Sequence, residues 1–192
     1  MINQIVCYIV KKLSPYSKEK DVVLFYGIEI MIYTILSTIC LIIIGIIFNE
    51  LIFSVIIIAL FYINQTFGGG YHASSHSHCC IIMVVFLSIG LLLCRVMFNT
   101  ILLAGISIVA LVVLLLNPCV LHPNKYYLRN KKRQYVCRSR CIIGIEMMLT
   151  VALYVFQRDI IRPFTIGLLF STLSRLVGKN VYKSYYDIKR YH

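Results

Sequence analysis

Tryptophan is absent from this 192-residue chain, acidic residues number only seven, and there are four prolines. Charged residues make up 14% and apolar ones 60%, against roughly 25% and about 45–50% in an ordinary soluble domain. A surface this poor in charge does not solvate a globular enzyme, and a chain this apolar is not disordered. Mean hydropathy is +0.86, which points to a small polytopic membrane protein. The length suits one domain of several spans, with no room for a separate soluble catalytic domain.

The shortage of acids leaves a net charge of +12 from 19 Lys and Arg. In a soluble protein that excess would suggest nucleic acid. Here the bases fall in three blocks between apolar runs, so membrane orientation and anionic headgroups explain them, and no nucleic-acid partner is expected. Of eight cysteines, Cys7, Cys40, Cys94, Cys137 and Cys141 stand alone in or beside apolar stretches. Isolated thiols of that kind are small core hydrophobes, and no disulfide framework is indicated.

The reading is one integral-membrane domain over residues 1–192, all-α, with about six membrane-embedded helices and an amphipathic helix before them. At 2–13, Ile2, Ile5, Val6, Ile9, Val10 and Leu13 share one helical face beside Lys11 and Lys12, as in a helix lying on a membrane surface. No signal peptide is expected, because the charge does not precede a longer apolar run. Apolar runs follow at about 22–48, 51–67, 79–98, 100–116, 141–157 and 163–177, with a basic loop over 117–140. The runs are continuously apolar rather than alternating, which favours helices over a β-barrel. Six crossings place Lys18 and Lys20, the 125–140 cluster and Lys179, Lys183, Lys189 and Arg190 on one side. By the positive-inside rule that side is the cytoplasm, and it holds both termini and residues 68–78.

Residues 64–80, NQTFGGGYHASSHSHCC, carry the chemistry. Three consecutive glycines interrupt the helix, and His72, His76, His78, Cys79 and Cys80 follow within nine residues. One reading is a cysteine–histidine hydrolase or transferase, in which an imidazole takes the thiol proton. A continuous helix would hold His72 and Cys79 about 10.5 Å apart along its axis, so a dyad requires the backbone to turn between them. His76, three residues before Cys79, could reach it within a plain helix. A second reading is a metal site built from His72, His76 and Cys79 or Cys80. The third is interfacial histidines with the two cysteines starting a span. Spacing does not choose among them.

The run Phe67-Gly-Gly-Gly-Tyr-His72-Ala73, with Cys79 seven residues after the histidine, resembles the motif of the accessory gene regulator B (AgrB) family. Tyr26-Gly27 with Glu29, Asn117-Pro118 before a basic loop, and the six-run hydropathy are similar to that family as well. The resemblance implies a membrane-embedded cysteine endopeptidase that processes quorum-sensing propeptides in Gram-positive bacteria, with Cys79 as nucleophile and His72 as its base. It implies a thioester acyl-enzyme and closure of a thiolactone or lactone ring. It further implies a short AgrD-like propeptide as substrate, contact with membrane lipids, a homodimer, and no cofactor or metal. The family often has arginine seven residues before the histidine, where this chain has Gln65.

Gly68, Gly69 and Gly70 are candidate oxyanion donors or else a flexible turn. Substrate-binding candidates are Glu29, Gln65, Lys131, Lys132 and Arg133, the lysines and arginine facing an acidic propeptide tail or serving topology. Glu29 and Glu146 read as partners of basic groups or as interfacial carboxylates reaching water. Arg95 reads as a snorkelling side chain, and Ser74 and Ser75 as cap or turn residues. The competing functions are a small-solute or peptide transporter and a metal-binding hydrolase or sensor. No convincing internal repeat supports transport.

Overall fold

The computed structural model describes residues 7–8, 18–71, 73, 75–96, 99–120, 132–156 and 159–188, with the backbone alone at 18–23, 26, 76, 77, 132 and 183–188. They form six helices and no strand: α1 (Lys18–Ile47), α2 (Leu51–Gly68), α3 (His76–Arg95), α4 (Thr100–Leu116), α5 (Lys132–Phe156) and α6 (Ile161–Ile188). The expected N-terminal helix lies outside the described residues except Cys7 and Tyr8, which are helical and exposed.

Among the described residues, four stretches are long and apolar enough to cross a membrane: Gly27–Ile47, Leu51–Gly68, His78–Arg95 and Arg133–Phe156. At 1.5 Å per residue, an 18-residue helix covers about 27 Å, close to a hydrocarbon core of about 30 Å. α4 is apolar but one residue shorter, at 17. Large apolar side chains stay exposed along α1, α4 and α5, including Ile35, Ile39, Ile43, Ile108, Met148 and Phe156. In water such a belt would aggregate; in a bilayer it meets acyl chains.

The interior is built around α6, which packs chiefly on α2 and α4. One apolar cluster joins Leu41, Ile57, Leu87, Leu91 and Phe170 across α1, α2, α3 and α6. A second joins Leu60, Leu111, Leu114, Ile143, Phe164 and Leu168 across α2, α4, α5 and α6. The turn between α1 and α2 closes tightly because Asn49 takes a left-handed φ of 55°, a conformation asparagine tolerates. Gly45 lets α2 approach, since a Cβ there would lie 2.6 Å from Ser54 Cβ. Asn99 starts α4 by accepting the Ile101 N–H at 3.0 Å. The Arg95 guanidinium reaches the Phe48 carbonyl and lies over the Phe48 ring, so it closes the end of α1 instead of merely snorkelling.

Polar residues also join the helices. The buried Ser107 and Thr165 hydroxyls hydrogen-bond at 2.7 Å between α4 and α6. Thr165→Val should lower stability by about 0.6 kcal/mol and at most about 1.7 kcal/mol, typical of interhelical hydrogen bonds in membranes. Reversible unfolding in mixed micelles would measure it.

Two boundaries differ from the sequence reading. α5 starts at Lys132, nine residues before its apolar run, so residues 132–140 of the expected basic loop are helical. Lys, Arg and Gln are good helix formers and need no hydrocarbon. α6 continues eleven residues past position 177 because it becomes amphipathic: Gly178 and Tyr182 are buried while Lys179 and Asn180 are exposed.

Candidate active site

At one end of the bundle, the C-termini of α2 and α4 meet the first turns of α5 and the second half of α6. The connection from α2 to α3 crosses this end, and its shape follows from its glycines. Gly68 ends α2, and its carbonyl accepts the Val120 N–H at 2.8 Å, part of an isolated parallel bridge between Gly69 and Val120. Gly69 turns the chain with φ 69° and donates its N–H to the Gln65 carbonyl at 3.1 Å. That φ is easy for glycine and strained for other residues. A Cβ at Gly68 would collide with the Arg175 guanidinium, at Gly69 with the Val120 carbonyl, and at Gly70 with the Gln65 amide. Close approach to backbone and a left-handed φ together call for glycine at position 69, while at Gly68 and Gly70 the atoms in the way are side-chain ends.

Residues 70 and 71 are held from two helices. Tyr71 N–H donates to the Ser174 carbonyl at 2.9 Å and to its hydroxyl at 3.2 Å. Gln65 Nε2 donates to the Tyr71 carbonyl at 3.0 Å, and Ser174 Oγ donates to Gln65 Oε1 at 3.3 Å. Tyr182 OH donates to the Gly70 carbonyl at 3.3 Å. Gln65, a substrate-binding candidate by sequence, therefore has both amide atoms committed to bracing this segment.

α3 then begins at His76. Ser75 is its cap: the Ser75 hydroxyl accepts the His78 N–H at 3.3 Å and lies 2.6 Å from His78 Nδ1, while Cys79 N–H donates to the Ser75 carbonyl at 3.1 Å. Cys79 sits half-buried in the first turn of α3. His72, Ser74 and the His76 side chain lie outside the described residues. α2 ends at Gly68 and α3 begins at His76, so no continuous helix runs from position 72 to Cys79.

Beneath the glycines lies a charge that sequence reasoning passed over. Arg175 of α6 is 1% exposed. Its Nη1 donates to the Asn117 and Pro118 carbonyls at 3.3 and 3.4 Å and to Ser139 Oγ at 3.4 Å. Nη2 donates to Asn64 Oδ1 at 3.1 Å and to the Asn64 carbonyl at 3.3 Å. Asn64 in turn donates to Glu146 Oε1 at 2.6 Å. Glu146 is 3% exposed, so it belongs to this buried network and is not an interfacial carboxylate reaching water. An arginine inside an apolar run is costly unless partnered, which was the available signal.

The remaining candidates are spread more widely. Glu29 is half-buried on α1, and Arg133 is exposed on the first turn of α5 beside the exposed Arg138 and Arg140. Lys131 and the Lys132 side chain lie outside the described residues. Lys179 donates to Asn117 Oδ1 at 2.7 Å, which ties the second half of α6 to the end of α4. Among the described residues no three His, Cys, Asp or Glu side chains gather as metal ligands; two imidazoles of the metal reading lie outside them.

The fold and site define an all-helical, polytopic membrane protein with a glycine-braced Cys/His segment at one end of its bundle. The chain belongs to the accessory gene regulator B (AgrB) family, whose model matches residues 2–175, and with that family to the agr quorum-sensing system. No curated protein and no solved structure matches it.

Proposed function

We propose that the protein is a membrane-embedded cysteine endopeptidase that removes the C-terminal tail of a short, AgrD-like autoinducer propeptide and promotes its cyclisation. The observation that carries this reading is Cys79 in the first turn of α3, following the glycine segment pinned at this end of the bundle, in a chain of this family. His72 takes the thiol proton, and the thiolate attacks the scissile carbonyl. The C–N bond breaks, His72 returns the proton to the departing amine, and an acyl-thioester remains on Cys79. A cysteine or serine upstream in the same peptide attacks that thioester, closes the ring and releases Cys79.

Gly69 has already spent its N–H on Gln65, so oxyanion stabilisation falls to other backbone donors. The positive end of α3, whose first turn carries Cys79, offers such donors. The first turns of α5 present Arg133, Arg138 and Arg140 for an acidic tail. With the first turns of α5 and Lys179 at the end that holds the glycine segment, the positive-inside rule has the site face the cytoplasm of a Gram-positive cell. A homodimer in the cell membrane is the working assembly.

The test is an intact-mass assay in liposomes with the propeptide encoded beside this gene. The expected product lacks the tail and is one water lighter than the hydrolysed fragment. An unprocessed peptide would contradict the proposal.

A further inference from the structure

Four residues along one face of α6 touch the catalytic segment, and two of them lie beyond the family match, which ends at residue 175. Ser174 accepts the Tyr71 N–H, Arg175 underlies Gly68, and Tyr182, 5% exposed, donates to the Gly70 carbonyl. Between them Gly178 leaves no space: a Cβ there would lie 2.7 Å from Tyr71 N and 2.8 Å from the Gly70 carbonyl carbon. These neighbours are backbone atoms, which do not swing aside as a side chain would. Positions 174, 178 and 182 repeat at i, i+4 and i+8, a single stripe of a helix.

We infer that the second half of α6 is a positioning surface for the reaction, with Gly178 and Tyr182 fixing residues 70–71 so that His72, the next residue, meets Cys79. The inference rests on the dyad of the proposed function. Neither residue contacts the reacting atoms; both act through the backbone that carries His72. The geometry explains why α6 extends past its apolar stretch with a buried glycine and a buried tyrosine on one stripe. It also separates two effects that normally run together. Alanine is the better helix former, so Gly178→Ala should leave α6 at least as stable while it pushes residues 70–71 away.

The experiment uses the full chain in liposomes as wild type, Gly178→Ala, Tyr182→Phe, His72→Ala and Gly105→Ala. Gly105 serves as a control because a Cβ there meets nothing within 4 Å. Tail release gives kcat and KM, iodoacetamide alkylation of Cys79 is followed against pH by peptide mass, and hydrogen exchange is followed over residues 64–80. Gly178→Ala is expected to stay folded and membrane-inserted, exchange faster at 69–75, and lose about 10²-fold in kcat with KM unchanged, the scale of an ångström-sized misplacement. Its Cys79 alkylation profile should coincide with that of His72→Ala. Tyr182→Phe, which introduces no clash, should shift the same way by a few-fold, and Gly105→Ala should match wild type. A Gly178→Ala protein that cleaves and alkylates as wild type does overturns the inference alone. If the wild-type alkylation profile already coincides with His72→Ala, the dyad itself fails and the inference falls with it.

Discussion

Cys79→Ala is expected to abolish tail release, by roughly 10³-fold or more, with the protein still folded and membrane-inserted. His72→Ala should cost about as much, and the double variant no more than either single one. Groups that act as a unit in one step lose their function together, so their effects do not add. Neighbouring residues give the controls. Cys80 follows Cys79 on α3, so its side chain is turned about 100° around the axis, and Cys80→Ala should process peptide nearly as wild type. His76→Ala should likewise remain active if His72 is the base. Single-turnover rates in liposomes measure all five variants. If His76→Ala is inactive and His72→Ala active, the thiol chemistry stands with the other histidine as base.

Arg175→Leu should produce the largest stability loss in the molecule, about 3–5 kcal/mol, the range seen when one member of a buried charged network is removed. The guanidinium is the donor for the Asn117 and Pro118 carbonyls beyond α4, for Ser139 on α5 and for Asn64 on α2. Leucine leaves those acceptors without it and leaves Glu146 buried without a nearby cation. Arg175→Lys should recover little, because one ammonium does not span two sets of acceptors that a planar fork reaches together. Gly68 lies directly over the guanidinium, so the damage should also reach the catalytic segment and lower activity in whatever fraction stays folded. Unfolding in mixed micelles, compared with Thr165→Val, tests the ranking. An Arg175→Leu protein within about 1 kcal/mol of wild type would show that the network is not a structural anchor; that is the typical net worth of one hydrogen bond.

The apolar runs made the helices legible because each is long and free of charge, and such runs have few other ways to satisfy their backbone in a membrane. The ends were less legible. α5 begins among charges that favour helix by propensity but carry no hydropathy signal, and the extension of α6 rests on burying Gly178 and Tyr182, which only tertiary contact reveals. The site shows the same division. The GGG–His–Cys spacing stood out locally, and so did the need for a turn between 72 and 79. Its supports did not, because Ser174 and Tyr182 lie 103 and 112 residues from the segment atoms they bond. Gln65 illustrates the limit: next to the motif in sequence it suggests a substrate contact, whereas its amide is folded onto Tyr71 and Ser174. For Glu146 the interfacial alternative gives way for a similar reason, since its partner Asn64 is 82 residues away on α2.

The most direct measurement is a trap for the acyl-enzyme. The propeptide is supplied with its ring-closing cysteine or serine changed to alanine, so the acyl group cannot pass on. The account predicts that the protein gains the mass of the tail-less peptide on Cys79, as a thioester released by hydroxylamine, and that Cys79→Ala gains nothing. Tail release with no adduct on Cys79, undiminished in Cys79→Ala, would contradict it.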